Sequence, residues 1–565
     1  MTGADSLVKS LEREGAEIVF GYPGVTICPF FDSLLNTKIR TVLVRSEQNA
    51  AHMASGYART LGKVGVCAVT SGPGATNVIT GIATAFADSI PLVVLTGQVK
   101  SDLIGSDVFQ EADITGAAES FVKYSYLVKD AADIPRIVKE AFYIANSGRR
   151  GPVLIDLPID VQTAAIAKYR EAGEVSLRTY KPTVQGNIVQ IKKVLKELSK
   201  AKRPILCVGG GVLLSGAKKP VREFAERYNI PVVSTMMGIG VMPTAHPLYF
   251  GMVGNYGKPY ANKAMNKADL LLVVGARLAD RAISQPDLIM EDKALVHIDV
   301  DPAEIGKNAG ATVPLVGDVK HIFEELAALD KKEEASIDFS DWVETMEVYR
   351  DGMEKSAAAG KRAGAEKAGA LAAKRADVGA NTEEFVSPAE FIRCLSDLVK
   401  NDAIYVADVG QNQIWSCDHY AVRDGLFLTS GGMGTMGYAL PAAIGAKLAD
   451  KERQVLAVCG DGAFQMAMPE LATMTQYRVP VKLVVFRNNA LGMVREYQKR
   501  AYKERYTMIE LSGAPDVAKI AEAYGLPFFR LTARSRYVEE LNAFLKEDTA
   551  AIMEVCVDPE ASAKL

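Results

Sequence analysis

Histidine is scarce in this chain, five residues in 565, and no two stand at a spacing that suits a shared metal ion. Cysteine is present but never paired. Cys28, Cys67, Cys207, Cys394, Cys417, Cys459 and Cys556 are scattered singly, several of them inside apolar runs. Thiols in such places are expected to be buried and reduced, which excludes a disulfide framework and a zinc site and points to the cytoplasm. An excess of positive charge is missing as well. Lys and Arg number 65 against 68 Asp and Glu, a net charge of −3, so neither nucleic acid nor an anionic membrane is an expected partner. No uncharged stretch reaches membrane-spanning length, and Met1-Thr2-Gly3-Ala4-Asp5 has no secretory n-region or h-region. Catalytic triad, HExxH and Walker A patterns do not accompany the glycine-rich turns. With so little acid–base machinery of its own, the chain is expected to lean on a cofactor for its hard chemistry.

What is present is an ordinary globular balance, 48% apolar and 24% charged residues. The length exceeds one hydrophobic core and suggests roughly three to four domains of ~150 residues. Short apolar runs ending at glycine or acid alternate with helical segments. Residues 1–165 hold such runs at Glu17–Phe20, Thr41–Arg45, Val64–Thr70, Pro91–Thr96 and Gly151–Pro158. Residues 186–330 repeat the pattern at Pro204–Gly211, Asp269–Gly275 and Ala294–Asp301, and residues 386–560 repeat it at Ala403–Ala407, Val455–Cys459 and Val481–Phe486. Strand–helix alternation predicts an α/β chain with three doubly wound parallel-sheet domains. Residues 331–385 turn rich in Ala, Lys and Gly, and are expected to form a linker with a solvated, partly helical segment that supplies no apolar face.

Several turns have compositions that chemistry would use. Gly460-Asp461-Gly462 follows a predicted strand, and Asn488-Asn489 follows the next one, 27 positions on. One helix fits between them, so an acid and an amide would meet at the carboxyl ends of adjacent parallel strands, where ligands of open α/β sheets bind. Oxygen donors of that kind suit Mg2+ with substrate phosphates, although Asp-Gly after a strand is also the commonest of turns. Glu47 follows another strand. It reads either as a favourable charge at a helix N-terminus or as an acid that hydrogen-bonds a heteroaromatic nitrogen. Ser71-Gly72-Pro73-Gly74-Ala75-Thr76-Asn77 admits close backbone approach and opens a helix toward an anion or polar ring. Ser430 to Tyr438 is a third such turn, where Met433 or Met436 serves as core or props a bulky ligand. Asp408-Val409-Gly410-Gln411 offers a phosphate-side turn, and Gly209-Gly210-Gly211 alone is weak evidence for a dinucleotide.

Glu47, the two glycine-rich turns, Gly460-Asp461-Gly462 and Asn488 together resemble thiamine-diphosphate enzymes. Glu47-Gln48, Phe109-Gln110-Glu111, Gly275-Ala276-Arg277, Asp280-Arg281, His297 to Asp301 and Leu491-Gly492-Met493-Val494 narrow the resemblance to the catalytic subunits of acetolactate synthases, along the whole chain. The resemblance implies a pyrimidine-binding domain over 1–165, a central FAD-binding-like domain over 186–330 and a diphosphate- and Mg2+-binding domain over 386–560. It implies thiamine diphosphate, Mg2+ held by Asp461, Asn488 and the Ala490 carbonyl, and a structural FAD without redox work. Met436 would prop the cofactor, and Glu47 from a partner subunit would address its pyrimidine ring. Gln110, Lys123 and Arg281 join Glu47 in the implied catalytic set, Arg281 beside the acceptor carboxylate. Pro23, Gly24, Ser71, Pro73, Asn77, Gly410, Gln411, Gly434, Gly462, Ala463 and Met493 would line the cofactor, and Arg277 and Asp299 the flavin. Val25, Phe109 and Tyr497 would set substrate choice. A homodimer or tetramer with interfacial sites, 2-oxoacid substrates and room for a small regulatory subunit follow, with no nucleic acid and no membrane. Ser46, Val25-Thr26, Asn255-Tyr256, Ile159 and Tyr497 depart from the family pattern, outside the cofactor–metal residues. The implied activity is carboligation of pyruvate with a second 2-oxoacid for branched-chain amino acids. The alternatives are a related thiamine-diphosphate 2-oxoacid decarboxylase or C–C lyase, and a non-catalytic protein that keeps the fold.

Overall fold

The apolar runs become three six-stranded sheets in a computed structural model, which describes residues 1–283, 285, 290–330, 337–356, 385–532 and 536–564. The first sheet contains β1 (Ile18–Tyr22), β2 (Arg40–Leu43), β3 (Gly65–Val69), β4 (Leu92–Gln98), β5 (Tyr124–Leu127) and β6 (Pro152–Pro158). The central sheet contains β7 (Pro204–Val208), β8 (Val232–Ser234), β9 (Tyr249–Met252), β10 (Leu270–Val274), β11 (Ala294–Asp299) and β12 (Val313–Val316). The third contains β13 (Ile404–Ala407), β14 (Leu426–Leu428), β15 (Val455–Gly460), β16 (Lys482–Arg487), β17 (Phe528–Leu531) and β18 (Ala551–Cys556).

Every strand pair is parallel, as helical crossovers require, so the α/β expectation holds. The first sheet runs β2-β1-β3-β4-β6-β5 and the third β14-β13-β15-β16-β18-β17, the same order counted within each unit. The central sheet runs β12-β11-β10-β7-β8-β9. Read from β9 and counted within the unit this is 3-2-1-4-5-6, the dinucleotide-binding order, with its switch point between β7 and β10.

The strands that sequence reading passed over are β5, β8, β9, β12, β14, β17 and β18. All but β8 and β18 lie at sheet edges, where one side is uncovered and the run is short or mixed, as in Tyr124-Ser125-Tyr126-Leu127. The linker expected over 331–385 needs correcting where it is described. Residues 340–356 are helical, and Phe339, Trp342 and Met346 are buried in the core of the central unit. Their i, i+3, i+7 spacing supplies the apolar face that the charged neighbours hid. The indole N–H of Trp342 donates to the Pro204 carbonyl at 3.1 Å. The Ala/Lys/Gly-rich part, 357–384, lies outside the described residues.

First and third units share one apolar core. The helix Glu47–Leu61 lies against the small-residue helix Ala439–Ala449 so closely that a Cβ on Gly56 would collide with the Ala442 carbonyl, and one on Gly445 with the Met53 carbonyl. Glycine is required there by backbone contact.

Candidate active site

β15 ends at Gly460, and Asp461 opens the helix Asp461–Ala467. Asp461 Oδ1 accepts from the Gly462 N–H at 2.9 Å, and Oδ2 accepts from the N–H groups of Asn488 at 3.1 Å and Asn489 at 2.6 Å. Adjacent strand ends therefore grip one carboxylate, 5% exposed. Burial pushes its pKa up to about 6 in spite of those donors. Asn488 Oδ1 accepts from the Ala490 N–H at 3.0 Å, and its amide donates to Gln411 Oε1 at 3.3 Å. Among the described residues no group of three or more His, Cys, Asp or Glu could hold a metal. One carboxylate, one amide and one main-chain oxygen form a different kind of donor set. It fits Mg2+, whose remaining positions water and phosphate oxygens fill.

The glycine-rich turn lies over this edge. Asp408, at the end of β13, accepts from the N–H groups of Val409, Gly437 and Ala439 at 2.8, 2.9 and 2.8 Å. Gly434 and Gly437 have φ of 68° and 86°, which the turn needs. Met436 Cε comes within 3.4 Å of where a Cβ on Gly462 would stand, so Met436 lies directly against the acid turn. Helix Gln411–His419 starts at Gly410 and points its free N–H groups toward the same edge. On helix Gly492–Ala501, Met493 and the half-exposed Tyr497 are four residues apart and share one face.

Glu47 opens its helix after β2. Its Oε2 accepts from Asn77 Nδ2 at 3.1 Å, and its Oε1 lies 3.5 Å from a Cβ position on Gly74. The hydroxyls of Thr26, Thr70 and Ser71 link the turns after β1 and β3 at 2.9 and 3.1 Å. Gly24 packs on Thr70, and Gln110, at φ 60°, presses on Gly72. Pro23, Gly24, Ser71, Pro73, Asn77, Gln110 and Glu47 are thus gathered at one sheet edge. Val25 is 73% and Phe109 88% exposed. Among the described residues no hydrogen bond joins Glu47 to Asp461, Asn488 or Met436.

The central unit contributes a cavity of about 920 Å³. Gly210, Gly211, Gly275, Arg277 and Asp299 line it at the β7–β10 switch point, together with Arg281, Tyr256, Gly410, Gly434 and Met493. The Tyr256 hydroxyl reaches Met493 Sδ at 3.5 Å, and Arg277 donates to the Ala87 carbonyl at 2.8 Å. Burial raises the Asp299 pKa to about 6. The cavity, its strand order and its glycines fit an extended dinucleotide.

Lys123 needs correcting. It precedes β5, at the amino ends of the first sheet, away from Glu47. Its ammonium donates to the Ile144 and Ser147 carbonyls and to the Tyr180 hydroxyl. Burial lowers its pKa to about 7. It ties a helix end to the segment after the first unit, and the structure does not bring it to the site. His52, near a glycine turn in sequence, is a fully buried neutral ring packed on Tyr438 at 5.3 Å, its pKa lowered to about 4 by burial. Sequence reading missed Asp88, whose carboxylate accepts from Gly431 and Gly432 N–H, and Glu470, a buried acid between units. An acid within an apolar helical pattern, as in Pro469-Glu470-Leu471, was the available signal.

Comparison with known proteins agrees with this layout. The N-terminal TPP binding domain of thiamine pyrophosphate enzymes matches residues 1–117, their central domain 191–326, and their C-terminal TPP binding domain 408–555. A probable acetolactate synthase large subunit of Methanococcus aeolicus is 40% identical, covering 100% of this chain and 93% of its own length. The acetolactate synthase large subunit of Lactococcus lactis is 39% identical over 98% and 92%. An acetolactate synthase of Mycobacterium leprae is 42% identical over 96% and 84%.

Proposed function

The chain belongs to the family of acetolactate synthase large subunits, thiamine-diphosphate enzymes, and from that premise we propose how its own residues divide the work. The activity is carboligation: pyruvate loses carbon dioxide, and the two-carbon fragment joins a second 2-oxoacid, pyruvate or 2-oxobutyrate. Thiamine diphosphate, when bound, supplies the electron sink for that chemistry.

Asp461, Asn488 and the Ala490 carbonyl would hold Mg2+, and Gly410, Gln411, Gly434, Gly462 and Ala463 would receive the cofactor's diphosphate. Met436 props the middle of the cofactor, and Met493 closes that side from the next helix. Glu47 holds or moves a proton at the pyrimidine ring, oriented by Asn77, while Pro23, Gly24, Ser71, Pro73 and Gln110 wall the ring and exclude water. Arg281 receives the acceptor carboxylate as a cation. Val25, Phe109 and Tyr497 shape the acceptor's space. Arg277 and Asp299 would hold FAD in the central cavity, a reading supported by the dinucleotide order of that sheet.

Glu47 serves the cofactor of a second copy of the chain. Supporting this are its lack of hydrogen bonds to the third-unit cluster among the described residues, and the exposed apolar side chains of Val25 and Phe109 on other loops of the same unit. A homodimer is the minimal unit, a tetramer is two of them, and a small regulatory subunit is the partner that the name "large subunit" of the relatives suggests. No helix among the described residues is long and apolar enough to cross a membrane. The cytoplasm is the proposed location, and seven free cysteines suit a reducing compartment.

The observation that carries the reading is the Asp461–Asn488 grip on adjacent strand ends, opposite Met436. Its test is to incubate the purified chain with pyruvate, thiamine diphosphate and Mg2+ and identify the product. Acetolactate is expected, whereas acetaldehyde would indicate a simple decarboxylase. A yellow purified protein would support FAD.

A further inference from the structure

The backbone that presents Glu47 is gripped from outside its own unit. The Leu43 N–H donates to the Tyr477 hydroxyl at 2.8 Å, and the Leu43 carbonyl accepts from the Thr473 hydroxyl at 3.2 Å. The Arg45 N–H and the Asn49 side-chain amide both donate to Glu470 Oε1, at 2.9 and 3.0 Å. The Arg45 guanidinium donates to Gln476 Oε1 at 2.6 Å. All these third-unit partners lie on the helix Glu470–Gln476 or the residue after it. Glu470 is completely buried, and its other oxygen accepts from the Thr473 hydroxyl at 2.7 Å. A buried carboxylate is costly unless its oxygens are fully used. Here one oxygen is used on residues two before and two after Glu47 and the other on Thr473, whose hydroxyl also meets the Leu43 carbonyl.

We propose that Glu470, with Thr473 and Tyr477, is a positioning residue for Glu47: it locks the strand end and first helical turn from which that acid projects. This rests on the role assigned to Glu47 above. Among the described residues the Glu47 carboxylate has one hydrogen-bond partner, Asn77, so its aim depends on how firmly residues 43–49 are held. A carboxylate that must meet a ring nitrogen at hydrogen-bond distance loses rate steeply with displacement.

The test compares Glu470→Ala, Glu470→Gln and Tyr477→Phe in the full chain. Glutamine keeps an acceptor for Arg45 and Asn49, and its amide can donate to the Thr473 hydroxyl, whose own proton turns to the Leu43 carbonyl. Glu470→Ala is expected to lower kcat by about ten- to a hundredfold with KM for pyruvate little changed. It should also speed amide hydrogen exchange over residues 43–49 in the cofactor-free protein. Glu470→Gln is expected to restore both. Wild-type kcat and exchange in Glu470→Ala would overturn the proposal, and so would a glutamine variant as impaired as the alanine one. Should Glu470→Ala fail to fold, Tyr477→Phe decides: it removes one hydroxyl, and unchanged exchange at Leu43 would overturn the proposal. Glu47→Gln is measured alongside. Normal turnover there refutes the role of Glu47 itself, a result separable from the exchange readout at residues 43–49.

Discussion

The first and third sheets have the same strand order, yet their carboxyl edges are equipped in opposite ways. In both, the turn after the third strand carries two glycines and a helix start, Ser71 to Gly74 in one and Gly460 to Gly462 in the other. In the third unit that turn ends in a buried acid held by backbone N–H groups. The first unit has no acid in that turn. Its acid, Glu47, sits after the second strand and accepts from a single side chain among the described residues, and other loops of the unit carry the exposed Val25 and Phe109. Topology therefore supplies an edge where ligands can bind, and the loops decide what each edge does. On the function proposed above, one edge grips an ion and a diphosphate, and the other offers an acid to a second copy of the chain.

The sharpest way to break this contrast is to remove the gripping acid. Asp461→Ala is expected to abolish Mg2+-dependent retention of thiamine diphosphate, with turnover lost at Mg2+ concentrations that saturate the parent protein; unchanged cofactor affinity in a binding titration would refute the ligand role. Glu47→Gln should act differently. A fall in kcat of about a hundred- to ten-thousandfold with cofactor binding retained is the expected pattern, read from kinetics and titration together. A smaller effect belongs to the rim. Tyr497→Trp, on the exposed face beyond Met493, should raise the use of 2-oxobutyrate over pyruvate by up to about tenfold, measured by competition between the two acceptors.

Two further outcomes concern stability. Gly56→Val forces a side chain into the Ala442 carbonyl where the two units meet, and should cost about 1–3 kcal/mol in a denaturant titration. Asp156 in the first unit is buried, accepts from Thr96 and Gln98, and has its pKa raised to about 7 by burial. The folded state therefore holds a proton that the unfolded chain releases near pH 4. Its contribution to stability is complete below about pH 4 and is lost as pH rises through about 7. The thermal midpoint of the cofactor-free protein should drift downward over that window, and Asp156→Asn should flatten the drift.

Much of this was legible before any fold was seen. Interior strands such as β3, β4, β7, β10, β15 and β16 are covered on both faces, so they are written as unbroken apolar runs. The site turns were legible because close backbone approach demands glycine and metal binding demands oxygen, and few residue types satisfy either. Edge strands left weaker marks because one side needs no cover. The helix around Trp342 was hidden by Lys and Glu on its wet face. Lys123 looked chemical in sequence; its carbonyl partners, 21 and 24 positions on, make it structural.

By itself the sequence determined three α/β units and their order, while Asp461, Asn488 and Glu47 came forward only through the resemblance of several turns taken together, each turn alone reading equally as an ordinary turn or helix start. The units follow from local pattern: periodicity within a strand or helix, and glycine or acid at the end of a run. The tertiary structure alone decided which edges face which. Glu470 meets Arg45 across 425 positions of chain, Asp88 meets Gly432 across 344, and Gly56 meets Ala442 because two helices pack backbone to backbone. Such contacts are set by strand order and by shared burial of two units in one core, and neither leaves a mark at either end of the contact that can be read alone.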